Sequence, residues 1–253
     1  MDTARIAQLL QLFLRAPIAV PISPCHSEPR PAGSDSCHSE TAPAGEEPAV
    51  LSPAQLHLIS TYIDILLRWN ARINLTAIRD PEDIVTRHFG ESLLAARHLF
   101  PVSSSVSSVS SVVKALDSLA DIGSGAGFPG VPIKLWAPHI SLTLIESNHK
   151  KAAFLREVAR ALTLTSINIQ NARAEAVTAT FDTVTLRAVE RFEHILPTAA
   201  ALVAPTGRLA LLISSAQCDQ AVSLLPHFRW SVPVPVPQSN SRILLVGFAR
   251  KAD

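Results

Sequence analysis

The sequence predicts an α/β fold: a mostly parallel, seven-stranded sheet with helices on both faces, an antiparallel C-terminal hairpin, and a small helical part in front. Three observations predict it. From Leu116 onward, short apolar runs alternate with stretches of helical period, as in a parallel sheet with crossover helices. The last two strand-like runs, residues 229–236 and 242–248, have no helix between them and must pair antiparallel. Before Leu116, apolar residues recur only at helical spacing.

In chain order, residues 1–20 read as an amphipathic helix. Gln8 and Gln11 interrupt the apolar stretch from Ile6 to Leu14, and Asp2 stands where a secretory leader carries only positive charge, although export stays open as an alternative. Residues 21–50 are rich in Pro, Ser, Ala and Glu and repeat Cys-His-Ser-Glu, starting at Cys25 and at Cys37. Too few apolar residues are present to offset ordering entropy, so this reads as a disordered low-complexity linker rather than a metal site. Residues 51–102 form the helical part. Ser52-Pro53-Ala54-Gln55 sets a cap, a first-turn proline and a capping-box glutamine in order, and Leu56, Ile59, Ile63, Leu66 and Leu67 then line one face. Asp80-Pro81-Glu82-Asp83 repeats the start signal ahead of Ile84, Val85, His88, Phe89 and Leu93. Residues 103–113 repeat Ser-Ser-Val and read as a flexible joint, leaving residues 114–253 for the α/β domain. Its candidate strands are 116–122, 141–146, 166–171, 183–187 and 209–214, followed by the hairpin. Pro233, Pro235 and Pro237 suit an edge strand there.

Composition excludes several classes. Hydrophobic residues make up 47% of the 253, enough for a sizeable core, while the net charge of +1 announces no global field for nucleic acid. Three cysteines, Cys25, Cys37 and Cys218, show no paired spacing, which argues against a disulfide framework or a metal site and fits the cytoplasm. No apolar run approaches the ~18 residues of a membrane span.

The chemistry concentrates in Asp121-Ile-Gly-Ser-Gly-Ala-Gly-Phe-Pro-Gly130, at the end of the first strand. Gly123, Gly125 and Gly127 at alternate positions permit a tight turn and close approach of a ligand. A dinucleotide fingerprint needs Gly-x-Gly-x-x-Gly, but Phe128 occupies its third glycine position, and no Gly-Lys-Ser/Thr follows as in a Walker loop. Asp121 suits a ligand bearing an amino group and a sulfonium rather than a pyrophosphate. Glu146 ends the next strand and can accept both ribose hydroxyls of an adenosine. Together these predict S-adenosylmethionine as cofactor and the class I methyltransferase (Rossmann-like) fold.

The chain resembles the RsmG (GidB) methyltransferases of bacterial small-subunit ribosomal RNA. The resemblance runs from about Leu51 to Arg250, outside the two insertions. It rests on Arg68-Trp69-Asn70, Asn74-Leu75-Thr76, Arg79-Asp80-Pro81, Arg87-His88 with Ser92, and the whole of 121–132. Leu144-Ile145-Glu146-Ser147, Lys150-Lys151, Phe154-Leu155 and Arg187-Ala188-Val189 continue it. It implies methyl transfer to N7 of one guanine in 16S rRNA, free or in the 30S subunit. Gly123 and Phe128 would line the cofactor loop, Ala174 and Glu175 would flank the adenine, and Arg187 would sit near cofactor and base. Two departures stand out: Glu91 replaces the family's Asp, and Ser214-Ser215 replaces a frequent Lys-Gly after the fifth strand.

Guanine N7 carries a lone pair and no proton, so no general base is expected, and Arg187 is the candidate for holding the base or a phosphate. Between Lys134 and Arg173 six cations face two carboxylates. Of these, Lys150 and Lys151 are RNA-binding candidates, joined by Arg68 and Arg87 in the helical part. Trp69 and His88 read as packing residues, and Asn74 and Thr76 as caps or braces of the interdomain turn. The protein is expected to be a monomer. A methyltransferase acting on a small molecule or protein, and a non-catalytic ribosome-assembly module, are the competing readings.

Overall fold

The computed structural model describes residues 1–16, 50–101, 117–188 and 191–249. The expected linker with Cys25 and Cys37, the Ser/Val joint and Val189 lie outside the described residues. Strands β1 (Ser118–Ile122), β2 (Ser141–Ile145), β3 (Ile167–Gln170), β4 (Phe181–Arg187) and β5 (Val203–Ser214) pair in parallel. Against β5 runs the antiparallel β8 (Arg242–Ala249), which also pairs with β6 (Phe228–Trp230) and β7 (Val234–Pro235). The sheet order is β3-β2-β1-β4-β5-β8-β6, with β7 off this path.

The run expected as one strand over residues 229–236 is thus two short ones. Pro233 has no N–H for a ladder, and at Ser231 the side chain intrudes: its Oγ accepts from Val246 N (3.2 Å). β5 in turn starts earlier than its apolar run, at Val203, whose partner Phe181 opens β4.

Residues alternate between faces along each strand. Leu119, Leu142, Leu144, Ala210, Leu212 and Leu244 face one cluster, which α5 (Gly130–Trp136) and α6 (His149–Ala161) cover. Ile122, Ile145, Val184, Leu186, Leu211 and Ile213 face the other, under α7 (Phe192–Ala201) and α8 (Cys218–Leu224). The crossover helices therefore change face between β1 and β4.

The N-terminal helices join the first cluster. Ile6 and Leu10 of α1 (Thr3–Arg15) and Ile59, Ile63 and Leu66 of α2 (Pro53–Asn70) share it with Leu144 and Leu155. The capping box predicted at Ser52 and Gln55 is formed. After α3 (Pro81–Ile84), residues Val85–Gly90 make a π-helical stretch that runs into α4 (Glu91–Leu99). Buried Arg97 closes the end of α1 by donating to Phe13 O (3.1 Å) and Ala16 O (2.8 Å). Among the described residues no helix is long and apolar enough to cross a membrane, and no group of three His, Cys, Asp or Glu is placed to hold a metal.

Candidate active site

Where the crossovers change face, the turns after β1 and β4 splay apart, which is where an open α/β sheet takes ligands. The β1 turn is a curl. Gly123 N and Ser124 N both donate to Ile145 O (2.9 and 3.2 Å), and Gly127 N donates to Ser124 O (2.6 Å). All three glycines hold positive φ, from +55° at Gly125 to +84° at Gly127. A Cβ at Gly125 would meet only Gly123 O, at 3.7 Å, so this side of the turn is open to a ligand. At Gly127 it would strike Tyr62 Oη.

Two carboxylates fix the curl. Asp121, 1% exposed, accepts from Thr185 Oγ1 (2.9 Å) and from Gly130 N (3.1 Å), joining β1, β4 and the start of α5. Burial pushes its carboxyl up to about 7, against those hydrogen bonds. Buried Glu146 accepts from Gly125 N (2.9 Å) and Asn148 N (2.7 Å), so it ties the β1 turn to the β2 turn. Each of its oxygens keeps lone pairs for further donors. An open glycine turn beside such a carboxylate fits a cofactor with a nucleoside diol.

A set of rings clamps the turn to the N-terminal helices. Phe128 lies between Tyr62 (centroids 5.4 Å, planes 7° apart) and His88 (4.8 Å, 22°), with Phe89 edge-on to both Tyr62 and Phe128. Tyr62 Oη donates to Ala126 O within the turn. The Phe128 side chain is therefore part of this stack. Tyr62, the chain's one tyrosine, was hidden in the sequence among the apolar residues of α2.

Arg187 ends β4 and meets the π-helical stretch. Its Nε and Nη2 donate to Glu91 Oε2 (3.2 and 2.9 Å), and Nη2 also reaches Arg87 O (2.7 Å) and His88 Nδ1 (3.1 Å). A guanidinium only donates, so His88 Nδ1 accepts, and the ring proton sits on Nε2, which donates to Thr76 Oγ1 (2.8 Å). Burial first, then the charges of Arg187, Arg87 and Arg242, hold the His88 pKa down to about 3. His88 packs, as expected, but it also braces Arg187. The π-helical stretch carries both Arg87 O and His88 Nδ1 to Arg187; such turns are frequent at functional sites. Asn70, rather than Asn74, braces the interhelical turn, accepting from Leu75 N (2.9 Å) and Thr76 N (3.0 Å).

The other expected residues are spread around the rim. Ala174 and Glu175 lie on a 3₁₀ turn after β3; Ala174 packs with Ile122 and Ile145, and Glu175 is exposed. Lys150 and Lys151 open α6, where Asn148 caps their N–H groups (2.9 and 3.3 Å). Arg68 stands apart, on the surface with Glu157 (3.8 Å), which also accepts from Trp69 Nε1 (3.0 Å). Arg87 is exposed beside Arg187.

The sequence matches the GidB family, described as rRNA small subunit methyltransferase G, over residues 55–224. The chain belongs to this family. Proteins named Ribosomal RNA small subunit methyltransferase G are similar to it across most of their length. The one from Xylella fastidiosa (strain 9a5c) is 36% identical over 191 residues, covering 73% of this chain and 82% of its own. That from Xanthomonas campestris pv. campestris (strain 8004) is 38% identical over 182 residues, covering 70% and 78%. Among solved structures, a ribosomal protein L11 methylase from Lactobacillus delbrueckii subsp. bulgaricus superposes with a TM-score of 0.51 at 13% identity, over 66% of this chain and 79% of that one. This last likeness is one of fold alone: the class I methyltransferase fold, as the strand order also has it. As a GidB methyltransferase, the protein uses S-adenosylmethionine.

Proposed function

We propose that the protein transfers a methyl group to N7 of a guanine in 16S ribosomal RNA, as free RNA or in the 30S subunit, in the cytoplasm. The family match over residues 55–224 carries this reading. When bound, S-adenosylmethionine supplies an electrophilic methyl carbon. Gly123, Gly125 and Glu146 would hold it at the open side of the β1 turn, with Asp121 keeping the turn's shape from beneath and Ala174 and Glu175 beside the adenine.

Guanine N7 presents a lone pair in the base plane and has no proton to lose. What the protein must do is align that lone pair with the methyl group, and such alignment supplies several kcal/mol of a barrier. The arrangement of side chains agrees with a base-free transfer. His88, the histidine nearest Arg187, has its Nδ1 lone pair committed to Arg187 and a pKa near 3. Asp121 and Glu91 are buried and already accept hydrogen bonds. Arg187, held on one edge by Glu91 and His88, keeps Nη1 for the incoming base or a phosphate.

Incubating the protein with labelled S-adenosylmethionine and RNA from a strain lacking its own enzyme tests the reading. Label at N7 of guanine in 16S rRNA is expected. Label confined to small molecules or protein, or to another position of the base, would reject it. Arg187→Ala should abolish transfer; full activity with unchanged RNA affinity would remove Arg187 from the site.

A further inference from the structure

Beside Arg187, on the side away from the β1 turn, a cleft of about 300 Å³ opens between the ends of β4, β5 and β8. Arg87, Arg187, Ser214, Gln217, Ser241 and Arg242 line it. Two of its three guanidiniums, those of Arg187 and Arg242, share one carboxylate, Glu91. Glu91, its side chain 4% exposed, spends Oε2 on Arg187, and Oε1 lies 3.2 Å from Arg242 Nε, without hydrogen-bond geometry. The terminal nitrogens of Arg242 have no partner among the described residues, and its side chain is 26% exposed.

The backbone of Arg242 is held in the sheet. It opens β8 directly across the ladder from Ser214, the last residue of β5, and its N–H donates to Ser239 Oγ (3.1 Å). Ser215 N donates to Ser241 O (2.6 Å), closing the rim. At Ser214-Ser215, where the family resemblance leads one to expect a lysine, the strand carries no cation; Arg242 brings one into the same cleft from the neighbouring strand. A narrow cleft with surplus guanidinium charge and serine hydroxyls on its walls matches a tetrahedral oxyanion, since the guanidinium fork pairs with two phosphate oxygens at once.

We propose that this cleft receives a backbone phosphate of the RNA strand next to the methylated nucleotide, and that Arg242 is the residue that binds it. This rests on the RNA-methyltransferase reading above. In the arrangement, Glu91 orients Arg187 toward the base and Arg242 toward the phosphate, so one buried carboxylate sets the distance between the two contacts.

The test compares wild-type protein with Arg242→Gln, which keeps most of the stem but not the charge, and with Arg242→Lys, which restores a charge. Binding of a single-stranded RNA oligonucleotide is measured against salt, together with kcat and KM for rRNA and the Kd for S-adenosylmethionine. For Arg242→Gln, the slope of log affinity against log salt should shrink by about 0.7, one phosphate contact. KM for rRNA should rise more than kcat falls, cofactor affinity should hold, and Arg242→Lys should regain the slope. An unchanged slope, or a loss of cofactor affinity as large as the loss of RNA affinity, would overturn the assignment. Should Arg242→Gln fold poorly, an oligonucleotide with a neutral methylphosphonate at each position in turn, bound to wild type, decides. A position next to the methylated nucleotide should reproduce the slope change, and no change at those positions overturns the proposal. Wild-type protein that methylates no rRNA would reject the functional reading, while the slopes still judge the cleft.

Discussion

Alanine at Gly127 tests how tightly the N-terminal helices hold the glycine turn after β1. The backbone there has φ +84°, which costs an L-residue about 1–2 kcal/mol. The new Cβ would strike Tyr62 Oη and lie 3.1 Å from Val131 Cγ2 and 3.2 Å from Leu155 Cδ2. Overpacking of this kind costs about 1–3 kcal/mol, so Gly127→Ala should destabilise the fold by about 2–5 kcal/mol in all. Tyr62→Phe leaves the ring stack but removes the hydroxyl, orphaning Ala126 O at a cost of about 1–3 kcal/mol. Because it also removes the atom struck, the double variant should lose less than the sum of the two, by about 1 kcal/mol or more. Urea unfolding followed by the fluorescence of Trp69, Trp136 and Trp230 gives these values, and isothermal titration gives the cofactor Kd, which should rise in Gly127→Ala and partly recover in the double variant. A cost below about 1 kcal/mol for Gly127→Ala, or strict additivity with Tyr62→Phe, would refute the clamp.

Asp121 has a folded pKa raised by burial to about 7. Between about pH 4, its unfolded value, and about 7, the folded state holds the extra proton, so this group lowers stability as pH rises through that window. In Asp121→Asn that component is gone: its unfolding free energy relative to wild type should climb from pH 4 to 7 and level off above, whatever its absolute offset, and parallel curves would disprove the shift. Glu91→Gln leaves the guanidiniums of Arg187 and Arg242 facing each other without a countercharge, and should cost about 3–5 kcal/mol in thermal or urea unfolding; a loss under about 1 kcal/mol would show that the carboxylate matters little to the fold. Lys150→Ala with Lys151→Ala should weaken RNA binding and flatten its salt dependence by up to about 1.4 in log–log slope. An unchanged slope takes these two lysines out of the RNA contact.

The sequence by itself determined the architecture and the presence of a tight glycine turn after the first strand. Alternation of apolar runs and helical stretches is a local signal, because each central strand is buried on both faces and each helix on one, and the missing helix between the last two runs forced the antiparallel end. Gly123, Gly125, Gly127 and Glu146 were legible for a similar reason: a backbone at positive φ and a carboxylate at a strand end are written into residue type and spacing. What only the tertiary structure decided is which distant side chains meet there. Tyr62 drew no reading from the sequence, and His88 read only as a packing residue, because nothing local says that Phe128 slots between them. Glu91 and Arg187 stand 96 positions apart, and Arg242 reaches the same carboxylate from the end of β8, so their pairing depends on strand order and register. The π-helical turn that presents His88 likewise packs against α1, which is remote from it in sequence. Local chemistry marked the turn, and long-range packing set what holds it and what lies beside it.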